Sequence, residues 1–339
     1  MKRRKFIKNA GLLSAAGMYL THTMNAQDKA PVYGHNGVRY TLDKAWSKAD
    51  PIKNPVNDCH EMVQDKEGRI ILLTNETRNN ILIFNTDGKL LTTWGNAFPG
   101  GHGLTLADDI LFITDTEKHQ VYKTSLSGEV LLTLDAPQED GLYPDKSKFV
   151  PTEVAVTPQG DFYVADGYGE QYILHYDATG RLLKYFGGKG EGDEKLDNAH
   201  GVCIDTRQGN PTLLVTDRTR NCFKRFTMDG KLLEIIALPG ACVCRPVIKG
   251  DYLYAAVLRS PDLGAEGTGF VTILDKTNKV VSNIGGTAPA YDAGGKLQPM
   301  RQAEKIFIHP HDVCVDSDEN LYVAQWASGK VYPYKFRRI

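Results

Sequence analysis

The sequence predicts an all-β fold, a six-bladed β-propeller, on three observations. First, one unit recurs six times: an alternating apolar run, a turn, a second β-rich run ending in an acid or polar residue, and two further strands. Its first-strand landmarks fall at His60, His102, Thr152, His200, Arg245 and His311, spaced by 42, 50, 48, 45 and 66 residues. These intervals suit propeller blades, and the last carries an insertion around residues 285–305. Second, the third and fourth strands of three copies are joined by Thr86-Asp87-Gly88, Ala178-Thr179-Gly180 and Met228-Asp229-Gly230, where glycine supplies the positive φ of a tight hairpin. Third, the signature His-x-Val-Cys-x-Asp is written twice, at 200–205 and 311–316, as two blades with the same strand geometry would require. One four-stranded meander cannot cover both of its faces, so the copies are expected to pack radially into a closed ring.

Taken in chain order, residues 1–26 stand apart from this ring. They begin "MKRRKFIKNAGLLSAAGMYL", a basic start and an apolar run too short and mild to span a bilayer. Arg3-Arg4-Lys5-Phe6-Ile7-Lys8 resembles a bacterial twin-arginine export signal, which implies the twin-arginine export machinery as a partner and a periplasmic or secreted destination. Removing this segment takes away five bases and no acids, moving the formal charge from -1 to -6. That balance excludes nucleic acid as a main partner, and neither a stable membrane span nor an obligate oligomer is indicated; a monomer is expected.

Residues 27–339 are expected to form the propeller. The copies open at "CHEMVQDKEGR", "GGHGLTLADD", "PTEVAVTPQG", "NAHGVCIDTR", "CRPVIKGDYL" and "HPHDVCVDSD". The last copy ends after its third strand, "VYPYKF", so the early strand "GVRYTLDKAW" at 37–46 is the natural one to complete that blade and remove an open edge. Six cysteines, at 59, 203, 222, 242, 244 and 314, contain no CxxC and do not read as a disulfide framework. Cys203 and Cys314 read as small buried residues.

The first strand of each blade lines the axis, so His102, His200 and His311, on alternate blades, should converge there. Three imidazoles at one level make a site for a divalent metal, most simply Zn2+, with an open position for water or substrate. His60 occupies the equivalent place in the first blade, and Glu153, Arg245 and His309 are further channel-lining positions. The competing reading is a non-catalytic propeller that binds a peptide or glycan and uses the histidines to hold a structural ion.

The blades resemble NHL-type repeats. From residue 55 to 337 the arrangement is similar to the peptidyl-α-hydroxyglycine α-amidating lyases, above all in "FYVADGYGEQYILHYDATG" and "LLVTDRTRNCFKRF". That resemblance implies a metal-dependent lyase with zinc on His102, His200 and His311. It implies Tyr168 of the Asp-Gly-Tyr motif as catalytic base, with Arg218 in "VTDRTR" and Arg78 in "TNETRNN" as catalytic arginines gripping a substrate carboxylate. It also implies a structural Ca2+ held by the Asp312 side chain and the Leu104 carbonyl. Cationic neighbours are expected to lower the Tyr168 pKa so that it can accept a proton. Two positions depart from the family pattern: Gly169 stands where it has cysteine, and His309 where it has methionine. The substrate expected is a peptidyl-hydroxyglycine or another small α-hydroxy or carbonyl compound, sugar derivatives included.

Overall fold

The computed structural model describes residues 30–138, 141–260 and 267–339; the signal-type segment 1–26 lies outside them. The described residues form six antiparallel sheets and include a short 3-10 segment, Lys146–Lys148. The innermost strands are Cys59–Gln64, Gly101–Ala107, Glu153–Val156, Val202–Asp205, Val247–Lys249 and Pro310–Val315. Each adjoins the next in ring order, and Pro310–Val315 returns to Cys59–Gln64, so the chain is the six-bladed propeller its repeats predict.

Burial explains the strand sequences. The second strand of each blade is covered on both faces by its neighbours, and these strands read as near-continuous apolar runs, such as Ile70–Thr74, Phe162–Ala165 and Leu321–Gln325, with every residue buried. The outermost strands are half open instead: Leu182–Gly187 exposes Leu183 and Tyr185, and Val130–Leu134 exposes Val130, Leu131 and Thr133. Six apolar clusters fill the gaps between neighbouring blades. Between the sixth and first blades, Trp46 packs its ring 5.1 Å from Phe84 and 4.8 Å from Tyr322. Truncating such a buried aromatic to alanine costs about 3–5 kcal/mol.

The sixth blade is built from both ends of the described chain. Its strands Pro310–Val315, Leu321–Gln325 and Tyr334–Arg338 are followed in space by Val38–Asp43, paired from Tyr40 opposite Arg338 to Asp43 opposite Lys335, and then by Val32–His35.

The repeated signature divides its labour along one strand. Val202 and Val313 are buried, and Asp205 and Asp316 turn the chain by accepting from the amides of Arg207 and of Asp318 and Asn320. Cys203 is partly buried, Cys314 fully so, and all six cysteines are free. That leaves the histidines, which face the axis.

Candidate metal and catalytic site

Three of the four axial histidines stand at irregularities in the inner strands. The pairing register shifts between Cys59 and Glu61, between Gly101 and Leu104, and between Pro310 and Asp312, at His60, His102 and His311 respectively. A bulge of this kind re-aims a side chain that a regular strand would direct elsewhere. His200 reaches the same level by a different route: it precedes Val202–Asp205, after a left-handed turn at Asn198 with φ 72°. Asparagine tolerates that conformation.

The rings of His102, His200 and His311 come together with centroids 4.8 to 4.9 Å apart, and His60 lies 5.1 Å from His102 and 5.0 Å from His311. The structure thus brings the rings of the three predicted ligands together and adds His60, whose candidate ligand atom lies within 4.8 Å of those of His102 and His311. In the fifth blade the residue level with them is Cys244, one position before the expected landmark Arg245: candidate ligand atoms of His200, Cys244 and His311 all lie within 4.8 Å of one another. Sequence reasoning missed Cys244 because the fifth copy is degenerate and its inner strand, Val247–Lys249, is only three residues long.

Hydrogen bonds fix which nitrogens are available. His102 Nδ1 lies 2.9 Å from the Thr152 carbonyl, and His311 Nδ1 lies 3.1 Å from the His60 carbonyl. A carbonyl only accepts, so each Nδ1 carries the proton and each Nε2 presents a lone pair to the axis. His200 is fully buried and neither of its ring nitrogens has a hydrogen-bond partner. Buried polar atoms left this way are costly unless an ion or water satisfies them. Burial holds the His102, His200 and His311 pKa values well below the ordinary histidine value and His60 down at about 4, so all four are neutral near pH 7. Neutral, converging imidazole nitrogens fit a borderline-soft dication such as zinc.

Tyr168 is carried by a tight loop after Phe162–Ala165. The Asp166 carboxylate organises it, accepting from the amides of Val150 and Glu170, each at 2.6 Å, and from the Tyr143 hydroxyl at 2.7 Å. A Cβ on Gly169 would collide with the Asp166 carboxylate and the Lys148 carbonyl, and one on Gly167 with the Ala199 carbonyl. The loop has no room for the cysteine that the lyase pattern carries at the first of these positions. The Tyr168 ring is 40% exposed, yet its hydroxyl points into the site, 3.1 Å from His102 Nε2 and 3.0 Å from Arg218 Nη2. Arg218 can only donate, so the Tyr168 proton is directed at the His102 lone pair. Arg218 is buried, further held by Nε on Asn198 Oδ1 at 3.1 Å.

The expected lowering of the Tyr168 pKa is corrected by the structure. Burial pushes the hydroxyl up, and the Arg218 guanidinium opposes that shift without reversing it. Arg78 also departs from expectation. It is 63% exposed and forms a two-point contact with Glu76, at 2.9 and 3.1 Å. The second arginine at the cavity is Arg259, from the end of the fifth blade's second strand. Together with His60, His102, His311, Tyr168 and Arg218 it lines a cavity of about 450 Å³. Trp326 also forms part of the cavity wall, and the buried ring of His309 packs 5.7 Å from it.

Further along the axis, the expected calcium ligands are already engaged. The Leu104 carbonyl accepts from Arg245 Nη1 at 2.9 Å, and Asp312 accepts from Arg245 Nε at 2.7 Å and Nη2 at 3.0 Å. Glu61 and Glu153 flank the same guanidinium at 3.1 and 3.4 Å. A calcium ion bonded to both Leu104 and Asp312, at about 2.3–2.6 Å from each, would overlap the guanidinium, so the residues present do not fit that ion.

Fold and site define a six-bladed propeller with a histidine-lined axial pocket. No family model matches the chain. It is 41% identical over 106 residues to peptidyl-alpha-hydroxyglycine alpha-amidating lyase 1 of Drosophila melanogaster, covering 30% of this chain and 19% of that protein. It is 28% identical over 267 residues to peptidyl-glycine alpha-amidating monooxygenase B of Xenopus laevis, covering 74% of this chain and 28% of that protein. The chain therefore spans less than a third of the length of these two relatives. A solved gluconolactonase from Xanthomonas campestris superposes with a TM-score of 0.62 at 11% identity, covering 92% of this chain and 96% of that one, and shares the fold. The chain thus resembles the α-amidating lyases in sequence, as its repeats suggest. Among the described residues no helix is long and apolar enough to cross a membrane.

Proposed function

We propose that this chain is an exported, zinc-dependent lyase that cleaves a carbon–nitrogen bond in a peptidyl-hydroxyglycine or a related small α-hydroxy compound, after twin-arginine export to the periplasm or beyond. The observation that carries this reading is the convergence of His102 and His311, with His200 beside them, and of Tyr168 and Arg218 on one cavity. His102, His200 and His311 would hold the metal through neutral nitrogens. Bound zinc supplies positive charge that polarises a substrate hydroxyl and favours its ionised form.

The chain's own residues account for the remaining steps. In the metal-free site burial keeps Tyr168 protonated, with its proton on the His102 lone pair. That lone pair can serve either the hydroxyl or a metal, so a metal held by His102 would leave the Tyr168 hydroxyl facing the cavity. Arg218, donating to the Tyr168 oxygen at 3.0 Å, stabilises the phenolate required of a base. In a substrate whose hydroxyl and amide nitrogen share one carbon, Tyr168, once its own proton has passed to solvent, takes the hydroxyl proton. The oxygen's electron pair forms a carbonyl, the C–N bond breaks, and Tyr168 passes the proton it took to the departing amide nitrogen, which returns Tyr168 to the phenolate. Arg259, which lines the cavity as the exposed Arg78 does not, would pair with a substrate carboxylate beside Arg218.

The test is turnover of a peptidyl-α-hydroxyglycine by the zinc-loaded protein, read as release of the amide and of glyoxylate. Release that disappears in Tyr168→Phe supports the reading. If a zinc-loaded, folded protein leaves this compound and other α-hydroxy substrates unchanged, the lyase reading fails and a peptide- or glycan-binding propeller is the better account.

A further inference from the structure

We propose that Arg245 is the built-in structural cation of this propeller, its guanidinium permanently filling the axial position that the lyase resemblance assigns to calcium, so that the native protein takes up no calcium there.

The contacts of one side chain carry the argument. Nε donates to Asp312 Oδ1 at 2.7 Å; Nη2 donates to Asp312 Oδ2 at 3.0 Å and to the Met62 carbonyl at 2.8 Å. Nη1 donates to the Leu104 carbonyl at 2.9 Å and lies 3.1 Å from Glu61 and 3.4 Å from Glu153. The partners come from the first, second, third and sixth blades, while Arg245 itself precedes the inner strand of the fifth. The fourth blade contributes closeness of packing: a Cβ on Gly201 would stand 2.5 Å from Arg245 Cα and 2.6 Å from its Cβ. All six blades therefore meet at this residue. Two carbonyls and three carboxylates around one centre are the oxygen-rich surroundings of a hard cation. Here a planar guanidinium with five donors satisfies them and cannot dissociate.

Protonation narrows the charge imbalance. Three acids face one guanidinium, a surplus of negative charge that a divalent ion would otherwise neutralise. Burial, reinforced by Glu153 and Asp312, raises the Glu61 carboxyl well above the usual range even against the pull of Arg245. A protonated Glu61 brings the cluster nearer to neutrality. Of its two oxygens, Oε2 accepts from the Leu104 amide at 2.6 Å. The same Arg245 also borders the second axial cavity, of about 400 Å³, so the cluster closes the channel between that cavity and the histidine site.

The experiment counts calcium and zinc separately in one elemental analysis, after equilibration with calcium and buffer exchange, so this inference and the zinc reading can fail independently. The wild type is expected to retain no calcium and to show the same Tm with or without it. Arg245→Ala leaves the carboxylates and carbonyls in place, and is expected to bind about one calcium per chain. At calcium about 100-fold above its Kd, the variant Tm should rise by several degrees. About one calcium in the wild type, or a wild-type Tm that climbs with calcium, would overturn the proposal. So would a folded Arg245→Ala chain indifferent to calcium. Should Arg245→Ala fold in neither buffer, the wild-type count decides.

Discussion

Replacing Tyr168 by phenylalanine separates catalysis from metal binding, because the hydroxyl touches both. It sits 3.1 Å from His102 Nε2 and 3.0 Å from Arg218 Nη2. Losing the base should lower kcat by about 10²- to 10⁴-fold. Zinc affinity should move the other way. In the wild type a metal must displace the Tyr168 proton from the His102 lone pair, and a neutral hydrogen bond of this kind contributes about 0.5–1.5 kcal/mol net. Removing that competitor should tighten zinc binding by roughly 2- to 10-fold. Arg218 keeps its bond to Asn198, so folding should suffer by no more than about 1–3 kcal/mol from the donor left without a partner. The assay pairs initial rates on a peptidyl-α-hydroxyglycine with zinc titration against a competing chelator. An unchanged rate would remove Tyr168 from the mechanism. A tenfold or greater loss of zinc affinity would make it a metal ligand and refute the competition argument.

Arg78→Ala should leave the rate within about 2-fold, because its guanidinium is exposed and occupied by Glu76, whereas Arg259→Ala should raise KM by at least about 10-fold through a lost charge-assisted contact; steady-state kinetics on both variants distinguishes them. Gly201→Ala should destabilise by about 1–3 kcal/mol in urea unfolding, since the inner strands must part around Arg245, while Gly209→Ala, with nothing within 4 Å but a φ of 98°, should lose only about 1 kcal/mol. Burial lowers the pKa of His60, His102, His200 and His311 in the metal-free fold, so the unfolded chain binds more protons once the pH drops below about 6.5. Stability of the metal-free protein should therefore be full above that pH and fall progressively toward about pH 4, where His60 titrates in the fold; a flat Tm between those values would contradict the burial argument.

The blades were legible because each feature is local: a two-residue period, a glycine turn, a repeat near 45 residues. The axial histidines were legible for the same reason, as equivalent positions in a repeat. What was not legible depends on offsets and loops. Bulges at His60, His102 and His311 leave no mark in the sequence, and the fifth copy is too degenerate to show that Cys244 rather than Arg245 holds that level. Arg78 was placed by motif, but its neighbour Glu76 draws it outward. Arg259 was overlooked in the most degenerate copy, although it follows the second strand Tyr252–Val257 by two residues, much as Arg218 follows Thr212–Asp217 by one. The calcium ligands were matched by sequence to Asp312 and Leu104, and only the structure brings a guanidinium from residue 245 against both. The Tyr168 pKa required a balance of burial against charge that a one-dimensional motif does not contain.

Counting zinc in the purified native protein alongside His200→Ala asks whether the axial histidines hold a metal. About one zinc per chain, lost in the variant while the propeller stays folded, is the result expected from His102, His200 and His311 acting as one site. A folded wild type that holds no transition metal, even after equilibration with zinc, would contradict it.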